Sequence, residues 1–127
     1  MRTIKFRGFN RKNNEWLQGF YLQNRGAHFV CSDEFASNKS WEDYEVEPET
    51  VGQFTSLKDK NGVEIFEGDI IKAGNERQKI EVRFVRGVFA FLWNGDLDDE
   101  FPTGSPTHEW AEVIGNIHDN PKMIKRK

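Results

Sequence analysis

One cysteine, Cys31, stands in the 127 residues, which excludes an intramolecular disulfide and any multi-cysteine metal cluster within one chain. Its setting, "AHFVCSD", is apolar, so a buried and unreactive thiol is expected. No stretch has the apolar centre of a signal peptide and no window approaches a membrane span, so a soluble protein of a reducing cytoplasm with no membrane partner is expected. Net positive charge is also missing. Eighteen Lys and Arg against 21 Asp and Glu leave −3, which argues against a generally basic, nucleic-acid-coating surface. The spacings of serine hydrolases, P-loops, zincins and dinucleotide folds are absent. The three histidines, His28, His108 and His118, are isolated. His108 beside Glu109 and His118 beside Asp119 make no acid-base pairs, because neighbours on a strand point to opposite faces. The expectation is no enzyme, no catalytic residue, no cofactor and no resident metal.

Aromatic residues are plentiful instead: 11 Phe, four Trp and two Tyr, against two Met. Rings of this kind bury large areas and favour pleated surfaces, so the chain reads as mostly β, in antiparallel sheets with little helix. "RTIKFRGF" alternates Ile4 and Phe6 against Thr3, Lys5 and Arg7, the period of a strand with one dry face. "NRKNNE" is a polar turn, and "EWLQGFYLQ" and "AHFVCS" are two further strands across "NRG", which makes a meander. Residues 32–50 have no clean period and read as a connection with a short turn opening at Ser32 or Ser40. The chain is expected to be one domain over 1–127, subdivided as a meander and connection over 1–47 and a second part over 48–127.

"VGQFTSLKDKNGVEIFEGDII", from Val51 to Ile71, is the most patterned run. Asn61-Gly62 between apolar segments predicts a type I′ hairpin, because both residues accept positive φ. At "EGDII", Gly68 lets the chain bend and the Asp69 carboxylate accepts nearby backbone N–H groups, a corner that re-aims the chain from one sheet to another. Gly52, Asp59, Asn61, Gly62, Gly68 and Asp69 are therefore read as structural. "RQKIEVRFVRGVFAFLW" predicts a hairpin with Arg86-Gly87 at its tip. Val88, Ala90 and Leu92 line one face of its outgoing strand and Phe89, Phe91 and Trp93 the other, so that strand is expected to be central or at an interface. "EWAEVIGNIHDNP" is the last strand.

Charge is unevenly spread. Arg2, Lys5, Arg7, Arg11 and Lys12 open the chain, Lys122, Lys125, Arg126 and Lys127 close it, and residues 33–50 hold seven acids against Lys39. Single-strand nucleic-acid sites interleave rings with bases, so Arg2, Lys5, Arg7, Arg86, Phe89, Lys122, Lys125 and Arg126 are the candidate binding residues. "NGDLDDEF" gathers hard oxygen ligands without the EF-hand spacing and reads as a solvated loop. A site assembled from His108, Asp98 and Glu100 is the remaining enzymatic possibility.

"TVGQFTSLKDKNGVEIFEGDIIK" resembles the signature of the YopX family of phage and prophage proteins. "EVIGNIHDNP" and the opening "IKFRGFNRKNNEWL" are similar to that family's end segments. The resemblance implies a phage or prophage origin, a small SH3-like barrel in the C-terminal part and self-association into a homo-oligomer, with no activity to carry over. Where the family usually has Thr-Gly before Leu-Lys-Asp, this chain has Ser56, so the backbone there need not require a positive φ. The leading expectation is a non-enzymatic accessory module that binds a host or phage protein in the bacterial cytoplasm. The alternative is a nucleic-acid-binding module that uses the basic termini and aromatic sheet residues.

Overall fold

The computed structural model describes residues 3–32, 38–73, 79–100 and 106–124. Its chain divides into two compact units, Met1–Phe54 and Thr55–Lys127. The divide falls inside a strand, whereas the sequence places a boundary between residues 47 and 48.

In the first unit β1 (Phe6–Asn10), β2 (Glu15–Asn24) and β3 (Ala27–Cys31) form the expected antiparallel meander. Phe9 pairs with Trp16 and Phe20 with Cys31. Arg25 and Gly26, at φ 52° and 82°, close β2 onto β3 in the mirror-image turn that suits strand twist. Strand β4 (Gly52–Lys58) starts beside β1, with Gly52 opposite Arg7 and Gln53 opposite Phe6. Val30, Cys31, Tyr44, Val46 and Phe54 are buried here.

The dry face expected along Ile4 and Phe6 is found further on, at Gly8 and Asn10 of the same strand face. Ile4 is 68% exposed, and the buried β1 positions are Gly8 and Asn10. Val46 explains the first, because its side-chain carbons stand 2.8–2.9 Å from where a Gly8 Cβ would lie. Hydrogen bonding explains the second. The Asn10 amide donates to the carbonyls of Glu42 (3.1 Å) and Glu45 (2.8 Å) and its oxygen accepts from Asn13 N–H (2.7 Å), so its polar atoms are satisfied without water. The connection also carries the short turn expected at Ser40: a 3-10 turn spans Trp41–Asp43, and Asp43 accepts Ser40 N–H at 2.9 Å.

In the second unit the end of β4 leads to β5 (Glu64–Phe66). Strands β6 (Asp69–Ala73), β7 (Ile80–Val85), β8 (Val88–Trp93) and β9 (Ala111–Asn116) then form an antiparallel sheet in the order β8-β7-β6-β9. A single turn of helix, α1 (Thr107–Trp110), enters β9. Ile65, Ile71, Ile80, Val82, Phe91 and Ala111 make the core, with Ala73, Trp93, Trp110 and Val113 packed against it. Ile80 opposite Trp93 and Val82 opposite Phe91 put those four on one face of the sheet. The protein is thus mostly β, in two antiparallel sheets with little helix. No helix among the described residues is long and apolar enough to cross a membrane.

Three expectations are corrected or narrowed. Residues Asn61-Gly62 do not form a type I′ turn: Gly62 has φ 81°, but Asn61 is not among the positive-φ residues. Gly62 N–H donates to Asp59 O (3.0 Å) and Asp59 N–H to Val63 O (2.8 Å), which describes a type I turn closed by a left-handed glycine, one residue longer than the predicted loop. Ser56 does adopt positive φ, 72°, a conformation its side chain does not call for. Of the two places expected for β8, the central one is ruled out: it is the first strand in its sheet order, its two-sided apolar pattern coming from Leu92 and Ala90 on one face and Phe91 on the other. The Gly68-Asp69 corner is found as expected. Gly68 has φ 93°, the Asp69 carboxylate accepts Phe66 N–H at 2.7 Å, and the chain passes from β5 in one sheet to β6 in the other.

Candidate functional site

The most heavily hydrogen-bonded polar group of the motif run builds a corner. Asp59 is 2% exposed. One carboxylate oxygen accepts Asn61 N–H (2.9 Å) and Val63 N–H (2.8 Å), the other Val113 N–H (2.9 Å). Burial acts to raise its pKa, but the three N–H bonds together outweigh burial and hold it below the ordinary carboxylate range. Lys60 N–H adds a bond to Ala111 O (2.9 Å), so the turn is fastened to β9. A carboxylate whose lone pairs are taken by backbone is a poor base or ligand.

In the first unit the basic opening and the acidic connection largely meet one another. Arg11 pairs with Glu47 at 2.8 Å, and Lys12 with Asp43 at 3.0 Å and Glu42 at 3.8 Å. Asp43 is pulled well below the usual carboxylate range by Ser40 N–H, then by Asn13 and Lys12. A groove of about 420 Å³ lies along Asn10, Arg11, Lys12, Glu45 and Glu47, with Arg11, Lys12 and Glu47 already in ion pairs. Lys5 lies over the Phe54 ring and Arg7 over the Trp16 ring, each at 5.0 Å. The rings thereby hold the cations that were candidates for phosphate.

The remaining candidates fall in the second unit. Arg86 and Gly87, at φ 50° and 82°, turn β7 into β8 as the sequence predicts. Phe89 packs edge-on to Phe84 at 5.1 Å, so Arg86 and Phe89 do share the hairpin end. Lys122 is exposed in a 3-10 turn after β9, the strand at the other end of the sheet order. Arg2, Lys125 and Arg126 lie outside the described residues. Within the second unit, Lys122 and the Arg86–Phe89 hairpin end therefore belong to opposite ends of the strand order. His108, Asp98 and Glu100 are exposed, and no group of three or more His, Cys, Asp or Glu among the described residues could hold a metal ion. Cys31 is buried, and burial raises its thiol pKa.

One feature of the hairpin escaped the sequence reading. Val85 opposite Val88, then Ala90 and Leu92, occupy the face opposite the Phe91 core. Ala90 is small, and between its larger neighbours it leaves a hollow of about 140 Å³, walled by Leu97 and flanked by Arg86 and Glu100. Val88 and Leu97 are 60% and 53% exposed. The loop after β8 holds this wall in place: Trp93 N–H donates to Asp99 O (2.9 Å), Asp98 N–H to the Asp96 carboxylate (2.9 Å), and Glu100 bridges Leu92. Leu97, an apolar residue within "NGDLDDEF", is the signal that marks this loop as more than a solvated spacer.

Comparison with known proteins adds three findings. The model of the YopX protein family matches residues 5–125. The crystal structure of protein EF1440 from Enterococcus faecalis is similar, with 26% identity, a TM-score of 0.60, and coverage of 98% of this chain and 100% of that one. No curated protein matches.

Proposed function

The chain belongs to the YopX protein family, and on that premise we propose that it is a phage or prophage accessory protein, a non-enzymatic module that binds another protein in the bacterial host cytoplasm. The observation that carries this reading is the outer face of the β7–β8 hairpin. There an edge strand of six apolar residues, Val88–Trp93, presents Val88 and, with the adjoining loop, Leu97 to solvent beside an apolar hollow. Edge strands that need no partner ordinarily carry lysine, proline or a bulge; β8 carries none of these. Titratable groups support the non-enzymatic part, because Asp59, Asp43 and the Arg83–Glu81 pair (3.0 Å) serve backbone or one another.

Small SH3-like barrel character in the C-terminal part belongs to the same proposal. The fastening of the β4–β5 turn to β9 through Asp59 and Lys60 supports it. Self-association is included as well, as the family resemblance implies. Affinity purification of tagged protein from a bacterial host, with and without nuclease, tests the reading. A specific protein that survives nuclease and is lost from a Val88→Ser, Leu97→Ser variant is the expected result. Absence of any protein partner together with a defined activity or ligand would overturn it.

The presence of Arg86, Phe84 and Phe89 at one hairpin end favours nucleic-acid binding as the second reading. A flat titration with single- and double-stranded DNA and RNA at low salt, where phosphate binding is strongest, removes it.

A further inference from the structure

Resting on the protein-binding reading, we propose that the hollow on the β7–β8 hairpin receives one aliphatic side chain of a partner segment. That segment carries an acidic residue on the side that meets Arg86 and a basic residue on the side that meets Glu100. The floor and walls are Val85, Val88, Ala90, Leu92 and Leu97, which offer no hydrogen-bonding side chain and therefore select an apolar group. Its size sets the class. About 140 Å³ is close to the ~150 Å³ apolar cavity that holds a benzene-sized guest, which suits a leucine or isoleucine side chain.

The flanks set the charge. Arg86 and Glu100 both line the hollow, yet among the described residues neither has an ion-pair partner. This contrasts with the first unit, where Arg11 and Lys12 are paired to Glu47 and Asp43. Two opposite charges held apart across an apolar depression match a segment with the inverse order of charges. Complementarity of this kind selects register and partner more than it adds affinity. The positions are stable ones: Arg86 is fixed by a two-residue turn and Glu100 by its bridge to Leu92. A second copy of the chain is the competing occupant.

Three capped peptides, Lys-Val-Leu-Val-Glu, the same with Ala for Leu, and the charge-exchanged Glu-Val-Leu-Val-Lys, are titrated into the full chain. Backbone amide resonances are followed by NMR at low salt. The expected result is that the first peptide moves the amides of Val85–Leu92, Leu97 and Glu100. The alanine peptide binds about tenfold more weakly, having lost most of the buried hydrocarbon. The charge-exchanged peptide binds up to about fivefold more weakly, the value of an exposed ion pair. Ala90→Leu fills the hollow and abolishes the response. Arg86→Glu with Glu100→Arg, on exposed positions outside the core, makes the charge-exchanged peptide the better ligand, so the assignment stays testable if Ala90→Leu fails to fold. Equal responses to all three peptides, or shifts elsewhere on the protein, would overturn the proposal. So would amide shifts at the hollow that depend on protein concentration without peptide, which assign it to a second copy. Retention by Ala90→Leu of the host protein captured by the wild type would overturn this site while leaving the protein-binding reading intact. Failure of the wild type to capture any protein strikes that reading itself.

Discussion

Two hairpins of the second unit use their polar residues in opposite ways. At the β4–β5 corner, Asp59 turns its carboxylate inward to three backbone N–H groups, one of them on β9. At the β7–β8 tip, Arg86 and Gly87 close the turn by backbone conformation alone, and the charge of Arg86 is left facing outward. The first arrangement ties the turn to the rest of its unit. The second leaves side chains available, which is where a binding surface becomes affordable. A run of patterned polar residues in a sequence can therefore mark architecture, while a plainer hairpin carries the exposed chemistry.

The contrast is broken most severely at Asp59. Asp59→Ala strands three partly or fully buried N–H donors, each costing about 1–3 kcal/mol, so a loss of roughly 3 kcal/mol or more is expected in urea unfolding. Arg86→Ala is expected within about 0.5 kcal/mol of wild type. The same carboxylate gives a pH signature. Its folded pKa lies below the unfolded value of about 3.9, so its stabilisation is complete above that value and is lost as pH falls through the folded pKa. Asp59→Asn should flatten the stability profile below about pH 4, measured as unfolding free energy against pH.

Smaller effects sharpen the comparison. Gly62→Val is expected to cost about 1–2 kcal/mol, because a β-branched residue must enter the left-handed region. No atom lies within 4 Å of the new Cβ, so the cost is one of backbone, and unchanged thermal stability would contradict the φ of 81°. Ser56→Gly runs the other way. Relief of positive φ at an exposed serine should stabilise by up to about 1 kcal/mol, read as a raised midpoint. Smallest of all, Lys12→Ala should cost no more than about 1 kcal/mol and less in high salt, as its pairs with Asp43 and Glu42 are largely solvent-exposed.

Strand content, the meander, the Arg86-Gly87 tip and the Gly68-Asp69 corner were readable because each depends on local chemistry: period-two alternation, residues that accept positive φ, a carboxylate near a bend. What escaped depends on distant partners. Asn10 is buried because the carbonyls of Glu42 and Glu45 come to it, and nothing in "FNRKNN" announces that. Asn61-Gly62 suggested a two-residue loop, but the Asp59 side chain stabilises a longer one. Ser56 carried no local requirement for positive φ, yet the backbone takes it, with Thr55 Oγ1 accepting Leu57 N–H at 3.1 Å beside it. The candidate hollow needed Ala90 and Leu97 to be brought together by a loop whose acidic composition pointed only to solvent.

The place of β6 sets a schedule for synthesis. It pairs with β7 directly after it, but its other neighbour is β9, so that Ala73 waits for Ala111. At typical bacterial elongation rates the nearly 40 intervening residues take on the order of 2–8 s to appear. For those seconds Ile70 and Ile71, both fully buried in the finished protein, sit in a strand with one side open to whatever the ribosome's surroundings offer. A chain stopped before Ala111 lacks the strand that closes that side.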